Sequence, residues 1–566
     1  MRRFLLSILT LLALSLPALC RVAERVYVTT DRDVYVAGDR VWCSVFCLTG
    51  EKTLSPISAV AYLELHSSEG MVQTAKIALT GGRGAGSFTL PGTLPTGNYR
   101  LVAYTYLNAR EVEETTLPSR IISVFNVLSK ERVKEGVEIV SEEKYSRPSP
   151  AGGVSCGQVK ITPGIPKLYS EYDGRILVRL ENMGAMPVSL SVSVYHEDGL
   201  RHPDNQGAYE FAAGLAAQGK PEYENGTVAE YEGEIVRGHI AGVPASALTG
   251  YAGKYAFIST PSSRYDIYAS PIDSDGRVEF HTGNIYGNCD LVCEIAGLDS
   301  SMTGYLELDS PFIDAYVPAI PQLEISSSAA SALKARSAAM QIERRFAADT
   351  LYSWLPLRDN ALLSSEKVGY ILDDYTRFPS MKELFTEFVF QIKPVTSRRS
   401  APRLAVAIGN YHRKYTFSDE ASLILLDGVP VFEHGKIIDY DPLLVKEINI
   451  YPYRVFIGDL AYYGVADFVT YKGNMPSFSF GGSVRVAGFQ GVSFPQAYTG
   501  ESIRIFGDYP DYRQTIYWNP LMEIPAGDSC VAAVKVPDYK GEFTVIVEGF
   551  DSTGAPVCAK SSFSVK

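Results

Sequence analysis

The chain has 566 residues, with 52 Lys and Arg against 64 Asp and Glu and a formal net charge of -12. An acidic surface without a sustained Lys/Arg stripe repels polyphosphate, so no nucleic-acid partner is expected. A length of this order divides into about three to five domains, and no segment beyond the N-terminal leader approaches the ~18 uninterrupted apolar residues of a membrane helix.

Arg2 and Arg3 precede an apolar run from Phe4 to Leu16, followed by Pro17-Ala18-Leu19-Cys20. Residues 1–20 therefore read as a secretory signal, and cleavage is favoured over lipidation at Cys20 because Pro17 and the bulky Leu19 fit lipid processing poorly. The expected location is exported: periplasmic, outer-membrane-associated or on the cell surface, with no membrane-spanning segment in the mature chain. Of the 8 cysteines, all but Cys20 lie beyond that cut, an odd number that leaves at least one without a partner in the same chain. Cys43 and Cys47, like Cys289 and Cys293, are spaced by four along β-like runs. That puts their Cα atoms about 13 Å apart, beyond the ~7 Å reach of a bridge. Buried structural thiols are the expectation. The 36 tyrosines are read first as strand-forming and packing residues.

In "ERVYVTTDRDVYVAGDRVWCSVF", Val26 and Val28 alternate with Tyr27 and Thr29, Ala37-Gly38-Asp39 turns, and Val41 to Phe46 runs as an apolar strand. Later, "LPTGNYRLVAYTYL" turns at Gly97-Asn98 and places Tyr99, Leu101, Ala103 and Thr105 on one face. Strands at such intervals predict a β-sandwich. Both stretches resemble the macroglobulin-like domains of the α2-macroglobulin family, which implies such a sandwich over residues 21–127. Residues 128–154, ending in "SRPSPAGG", read as a linker. Val188 to Val194 alternate strictly and suggest a second macroglobulin-like sandwich over 155–223. "YEGEIVRGHIAG" and "SPIDSDGRVEFHTG" resemble the regulatory-type sandwiches of many exported proteins, here residues 224–312.

The period then changes to three and four at Ala332, Ala335, Ala339, Ile342 and Phe346, an amphipathic helix within a helical linker at 313–359. Ser380-Met381-Lys382-Glu383 has capping-box spacing, and Met381, Leu384, Phe385 and Phe388 give the helix behind it an apolar face. "SLILLDGVPVFEHGK" follows, with four consecutive apolar residues, Leu423 to Leu426, before an Asp427-Gly428 turn. Such a run predicts a strand buried on both faces, covered by helices or loops. Val445, Ile448 and Ile450 predict the next strand, and Gly464 and Gly473 bound another from Val465 to Lys472.

This order resembles the plug domain of TonB-dependent outer-membrane receptors over residues 360–478. The motif positions are Asp427, Gly428, Val429, Pro430, Gly464, Thr470 and Lys472, with Glu447 and Ile448 in the intervening strand. Ala466-Asp467 departs from the small or aliphatic residues usual there. The 93 residues after Gly473 are too few for a receptor barrel of some twenty strands of about 10 residues each. Residues 479–566 instead read as a C-terminal sandwich, with turns at Pro525-Ala526-Gly527 and Asp551-Ser552-Thr553-Gly554. The expected fold class is mainly β and multidomain: several macroglobulin-like or immunoglobulin-like β-sandwiches plus an α+β plug-like domain. This combination resembles a group of large exported proteins from Bacteroidetes.

Other motifs carry structural readings. "ERVYVTT" looks like a TonB box but leads straight into the first sandwich, so it is read as an opening strand. "SCGQ", Ser155 to Gln158, lacks the Glu of a macroglobulin thioester. "GGRGAGS", Gly81 to Ser87, is a turn without a strand-to-helix phosphate cradle. His196, Glu197, Asp198, His202 and Asp204 in "HEDGLRHPD" lack metal-ligand spacing and read as a solvated loop. No catalytic residue, metal site or cofactor is expected. The function expected is a non-catalytic exported binding or scaffold protein with an envelope protein partner, such as an outer-membrane receptor or transport system. The alternatives are a glycan- or peptide-binding protein using exposed aromatic residues and, more remotely, an enzyme built on "HEDGLRHPD".

Overall fold

The computed structural model describes residues 23–112, 117–128, 136–145, 158–164, 175–215, 221–224, 226–261, 265–283, 285–299, 301–346, 353–354, 362–363, 366–397, 401–411, 414–497, 512–535 and 540–565. The signal-like leader, Ser155 to Gly157 and the C-terminal Lys566 lie outside them. The fold is mainly β and multidomain. The chain divides into two compact units, one of residues 1–233, 312–357 and 492–566, the other of residues 234–311 and 358–491.

In the first unit, Glu24–Thr30, Arg40–Thr49 and Arg83–Thr89 form a three-stranded sheet that faces a five-stranded one. The larger sheet runs Val34–Val36, Ser119–Phe125, Gly97–Tyr104, Val60–Ser67 and Gly70–Ala78. Val26, Val28, Val41, Val45, Leu63, Leu101 and Ile122 fill the space between them. "ERVYVTT" is the opening strand, paired over its whole length with Arg40–Thr49. Tyr99, Leu101 and Ala103 share the core as the alternation predicts. Thr105 instead leaves the strand to cap the short helix Tyr106–Ala109, its hydroxyl accepting from Asn108 N. Of the glycine-rich stretch, Gly81 and Gly82 make the turn with positive φ, while Gly84 and Gly86 belong to the strand Arg83–Thr89. A β-carbon at Gly84 would lie 2.3 Å from the Ala78 carbonyl oxygen.

The "TDR" stretch is a polar knot. Asp31 accepts from Tyr35 OH at 2.8 Å, Trp42 N at 3.1 Å and Thr515 Oγ1 at 2.5 Å. Arg32 pairs with Asp31 at 2.9 Å and with Asp39 at 2.8 Å. Burial of Asp31 raises its carboxyl above the usual range against the lowering by these partners. Tyr99 OH donates to the Pro95 carbonyl at 2.6 Å, holding the turn that precedes its strand.

The second sandwich corrects the expected domain order. One of its sheets runs Val159–Pro163, Arg175–Asn182 and Ser529–Lys535; the other runs Thr515–Ile524, Val188–Glu197, Gly541–Asp551 and Pro556–Val565. Val188–Glu197 is central, hydrogen-bonded on both sides to C-terminal strands. The sandwiches expected separately at 155–223 and 479–566 are thus one, because each stretch alone supplies too few strands to cover Val178, Leu190, Val192, Val545 and Val547. Trp518, fully buried, packs 5.2 Å from Trp42.

The segments expected to be linkers are docked. Val137–Ile139 pairs in parallel with Leu323–Ile325, and Val140, Tyr145, Leu323 and Ala329 form a core with Val34 and Phe125. The helix Ala329–Phe346 buries Ala329, Arg336, Ala339 and Met340 while Ala335 is exposed. Its buried face is therefore rotated from the expected alanine stripe, because Arg336 is drawn inward by Asp198 at 3.1 Å.

In the second unit, a sandwich pairs Arg277–His281, Ile235–Ala241 and Tyr305–Leu308 against Ile267–Pro271, Tyr255–Ser259, Asn288–Ile295 and Arg485–Gln490. Its last strand comes from beyond the α+β domain, so that domain is an insertion in this sandwich and residue 479 is not a domain start. The α+β domain has a mixed five-stranded sheet in the order Val368–Ile371, Val445–Ile457, Leu460–Thr470, Leu423–Leu426, Val429–Pro430. Over it lie Ile392–Val395, Arg403–Tyr411 and the helices Met381–Glu387 and His434–Ile438. Ser380 Oγ accepts from Glu383 N at 3.3 Å, and Met381, Leu384 and Phe385 are buried as predicted.

Leu423–Leu426 is dry on both faces. Ile424 and Leu426 pack with Met381, Phe385 and Ile437 of the helical layer. Leu423 and Leu425 pack with Phe257 and Ile267 of the neighbouring sandwich. The second cover is thus a sandwich rather than a helix or loop.

Candidate functional site

Of the motif residues, Asp427, Gly428 and Thr470 meet where Leu423–Leu426 turns back on itself. Asp427 and Gly428 both have positive φ, 51° and 81°, the type I′ combination that suits a two-residue hairpin turn. Leu426 pairs with Val429 and Leu425 with Pro430. Pro430 lies on the edge strand, where its missing N–H costs no ladder bond.

Asp427 fastens the turn to the parallel neighbour. Its Oδ1 accepts from Thr470 N at 2.6 Å, and its Oδ2 from Thr470 Oγ1 at 2.7 Å and Met475 N at 2.7 Å. Thr470 Oγ1 in turn accepts from Gly473 N at 3.0 Å. Asp427, Thr470, Gly473 and Met475 are therefore one hydrogen-bonded group. Val429 packs apart from it, on Val292 and Val484. Lys472 is exposed.

Gly464 is placed differently from its expected role as a strand boundary. It lies inside Leu460–Thr470, opposite an irregularity between Tyr451 and Arg454 in the partner strand. With φ at 78°, a β-carbon there would lie 2.9 Å from both the Val406 side chain and the Val406 carbonyl oxygen. The glycine is required by close approach of the overlying strand as well as by its backbone angle.

Asp467, the departure from the plug pattern, is the site residue that motif reading passes over. It is buried on the sandwich side of the sheet. Oδ1 accepts from Gly428 N at 3.1 Å, and Oδ2 from Tyr265 OH at 2.9 Å. Tyr265 also meets Tyr451 OH at 3.0 Å. Burial pushes the Asp467 carboxyl up to about 6, with the Asp427 charge adding to it and the Gly428 and Tyr265 hydrogen bonds opposing it. Burial and the neighbouring carboxylate likewise raise Tyr265. A polar residue in a strand of Val, Ala and Phe was the available signal. Its partner Tyr265 is some two hundred positions away and could not be inferred from spacing.

Chemically, the group is a brace. Both carboxylates are occupied by protein donors, so the arrangement holds a turn, a parallel strand and a loop in register.

"HEDGLRHPD" is structured where a solvated loop was expected. His196 and Glu197 end the strand Val188–Glu197. Glu197 accepts from Thr544 Oγ1 at 2.6 Å and meets His202 at 3.4 Å. These bonds outweigh burial and hold its carboxyl down at about 2. Asp198 pairs with the buried Arg336. Among the described residues no cluster of three or more His, Cys, Asp or Glu is arranged to hold a metal. Cys43, Cys47 and Cys293 are buried free thiols, raised chiefly by burial. Cys289 and Cys530 are partly exposed and form no disulfide. Cys558 is disulfide-bonded.

A second buried carboxylate site was not anticipated. Glu64 accepts from Tyr104 OH at 2.5 Å, His66 Nε2 at 2.9 Å, and the backbone N–H groups of Ile313, Asp314 and Ala315 at 2.9, 3.2 and 2.7 Å. Burial raises its carboxyl, but these donors prevail and hold it below the usual range. Tyr62, stacked on Tyr104, donates to Glu230 at 3.0 Å. Glu64 and Tyr62 thus tie residues 230 and 313–315 to the five-stranded sheet.

No protein-family model and no curated protein matches the chain. Among solved structures, it is similar to Escherichia coli alpha-2-macroglobulin in its native conformation, at 7% identity and a TM-score of 0.25 over 96% of this chain and 40% of that one. Salmonella alpha-2-macroglobulin reacted with methylamine gives 8% identity and 0.24 over 96% and 40%. The CARDB domain of the Pyrococcus furiosus PF1109 protein gives 14% and 0.14 over 18% of this chain and 94% of that one. The chain spans about two fifths of the macroglobulins' length. At these scores the architecture rests on the strand pairings themselves.

Proposed function

We propose that the chain is a non-catalytic exported protein that binds or scaffolds other components of the cell envelope, as an accessory to an outer-membrane receptor or transport system. The observation that carries this is the Asp427-Gly428 brace in a sheet covered on both faces by its own chain. The motif order supports a plug-like ancestry. A sheet with helices on one face and a sandwich on the other presents edges and loops to partners rather than a face to a pore. The strands that follow Thr470 support the same reading, since they complete sandwiches begun earlier in the chain. Fully occupied carboxylates in a packed brace favour holding over chemistry.

The test is affinity capture of the full chain from crosslinked envelope extracts, alongside fractionation and surface protease accessibility. Recovery of a defined set that includes an integral outer-membrane protein is expected. Recovery no different from an untagged control, or a chain confined to the cytoplasmic fraction, would overturn the proposal.

A further inference from the structure

The five-stranded sheet of the α+β domain ends in Val368–Ile371, which pairs with Val445–Ile457 on one side and is the edge strand on the other among the described residues. Edge strands are ordinarily blunted by charge, proline or a bulge. This one reads Val-Gly-Tyr-Ile, with Val368 37% and Ile371 47% exposed. Side chains alternate across a strand, so Val368 and Tyr370 share one side and Gly369 and Ile371 the other.

On the first side the apolar surface continues. The Tyr370 ring stands edge-on to Phe388 at 5.1 Å, Tyr375 packs 4.0 Å from Phe388, and Tyr370 OH donates to Gln391, next to the exposed Phe390. On the second side Gly369 stands opposite Asn449. Asn449 is buried, and its Oδ1 has no hydrogen-bond partner among the described residues. That oxygen lies 3.4 Å from where a β-carbon on Gly369 would be. Around the edge, Lys367 pairs with Glu447 at 3.1 Å and Arg377 with Asp373 at 3.4 Å, and Glu447 Oε1 lies 3.5 Å from the same β-carbon position on Gly369.

We propose that this edge accepts an extended segment of a partner protein as a sixth strand, apolar on the side of Tyr370 and Phe388 and carrying lysine opposite Gly369. Main-chain hydrogen bonds to Val368–Ile371 supply affinity, and the alternating side chains supply specificity. The bare Gly369 leaves room for the lysine stem, which packs on Ile371 while its ammonium donates to Asn449 Oδ1 beside the Glu447 carboxylate. This names the chemistry of the partner for the scaffold reading, and rests on that reading only for the partner's source.

The probe is a fluorescent synthetic peptide of four Val-Lys repeats, titrated against the full chain by anisotropy and followed by hydrogen exchange. Saturable binding is expected, with exchange slowed in residues 366–373. Ile371→Lys and Gly369→Val should each weaken it about tenfold or more, and a peptide with proline in place of valine should not bind. Val486→Lys, on the exposed edge strand Arg485–Gln490, should leave affinity unchanged. Absent binding by the native chain, equal binding of the proline peptide, slowing elsewhere only, or full affinity in both edge variants would overturn the assignment. If native and Ile371→Lys chains capture the same envelope partners, this edge assignment fails and the scaffold reading stands. If the native chain captures none while the peptide still binds at 366–373, the scaffold reading fails and the edge assignment stands.

Discussion

Asp427 holds three donors on two oxygens, whereas Asp467 accepts one bond on each. An amide has a single acceptor oxygen, so Asp427→Asn must leave Thr470 or Met475 unpaired. It should cost about 1–3 kcal/mol, measured by chemical denaturation at neutral pH. Asp467→Asn should behave oppositely. With its folded value near 6 against about 3.9 in an unfolded chain, the folded state retains a proton that the unfolded state releases between those pH values. Stability from Asp467 is therefore full in acid and lost as pH rises through about 6. The groups that face it are Asp427, Tyr265 and Tyr451, with Lys367 acting more remotely. The asparagine variant should show a flatter melting temperature between pH 5 and 7.5 and gain stability at the upper end, by at most about 3 kcal/mol. A parallel pH profile in both chains would refute this. At Gly464, alanine meets positive φ and the Val406 backbone together, and a loss of about 1–3 kcal/mol is expected by the same denaturation.

At the scale of elements, Leu423–Leu426 makes the sharpest demand. Adjacent residues of a strand point to opposite faces, so in a half-exposed strand one of any adjacent pair would tolerate truncation. Here Leu425→Ala and Leu426→Ala should each cost about 2–5 kcal/mol, because one opens a cavity against the sandwich residues and the other against the helical layer. Leu177→Ala, 56% exposed, should lie within about 0.5 kcal/mol of the native chain. Equal tolerance at Leu425 and Leu177 would show that the sandwich does not cover this sheet. The dryness of the strand was legible as four consecutive apolar residues, and its turn as Asp-Gly. What covered it was not, since Phe257 and Ile267 carry no mark of their destination. The helix Ala329–Phe346 shows the converse limit. Its period was legible, but an apolar stripe misjudges the buried face when a buried Arg336–Asp198 pair helps set the rotation.

For the whole molecule, the second sandwich closes only when the chain returns. Val188–Glu197 pairs with Gly541–Asp551 and Thr515–Ile524, so removing residues 512–566 should expose Val178, Leu190 and Val192 together. Limited proteolysis of such a truncated chain should cleave within 159–197 at protease levels that leave the full chain intact there. If 159–197 stays resistant, it folds as its own domain and the composite sandwich is wrong.

The order of residues determined, without any coordinates, the mainly β character, the capped helix at Ser380, the hairpin turn at Asp427-Gly428 and the dry strand before it. These follow from φ preferences, capping chemistry and the two- or four-residue spacing of apolar side chains, all of which act within about ten positions. Sheet membership, the insertion of the α+β domain in a sandwich, and the meeting of Tyr265 with Asp467 belong to the folded chain. A backbone hydrogen bond is the same for any residue with a free N–H or C=O. Nothing in Val188–Glu197 therefore names Gly541–Asp551 as its neighbour until burial of both apolar faces selects that pairing.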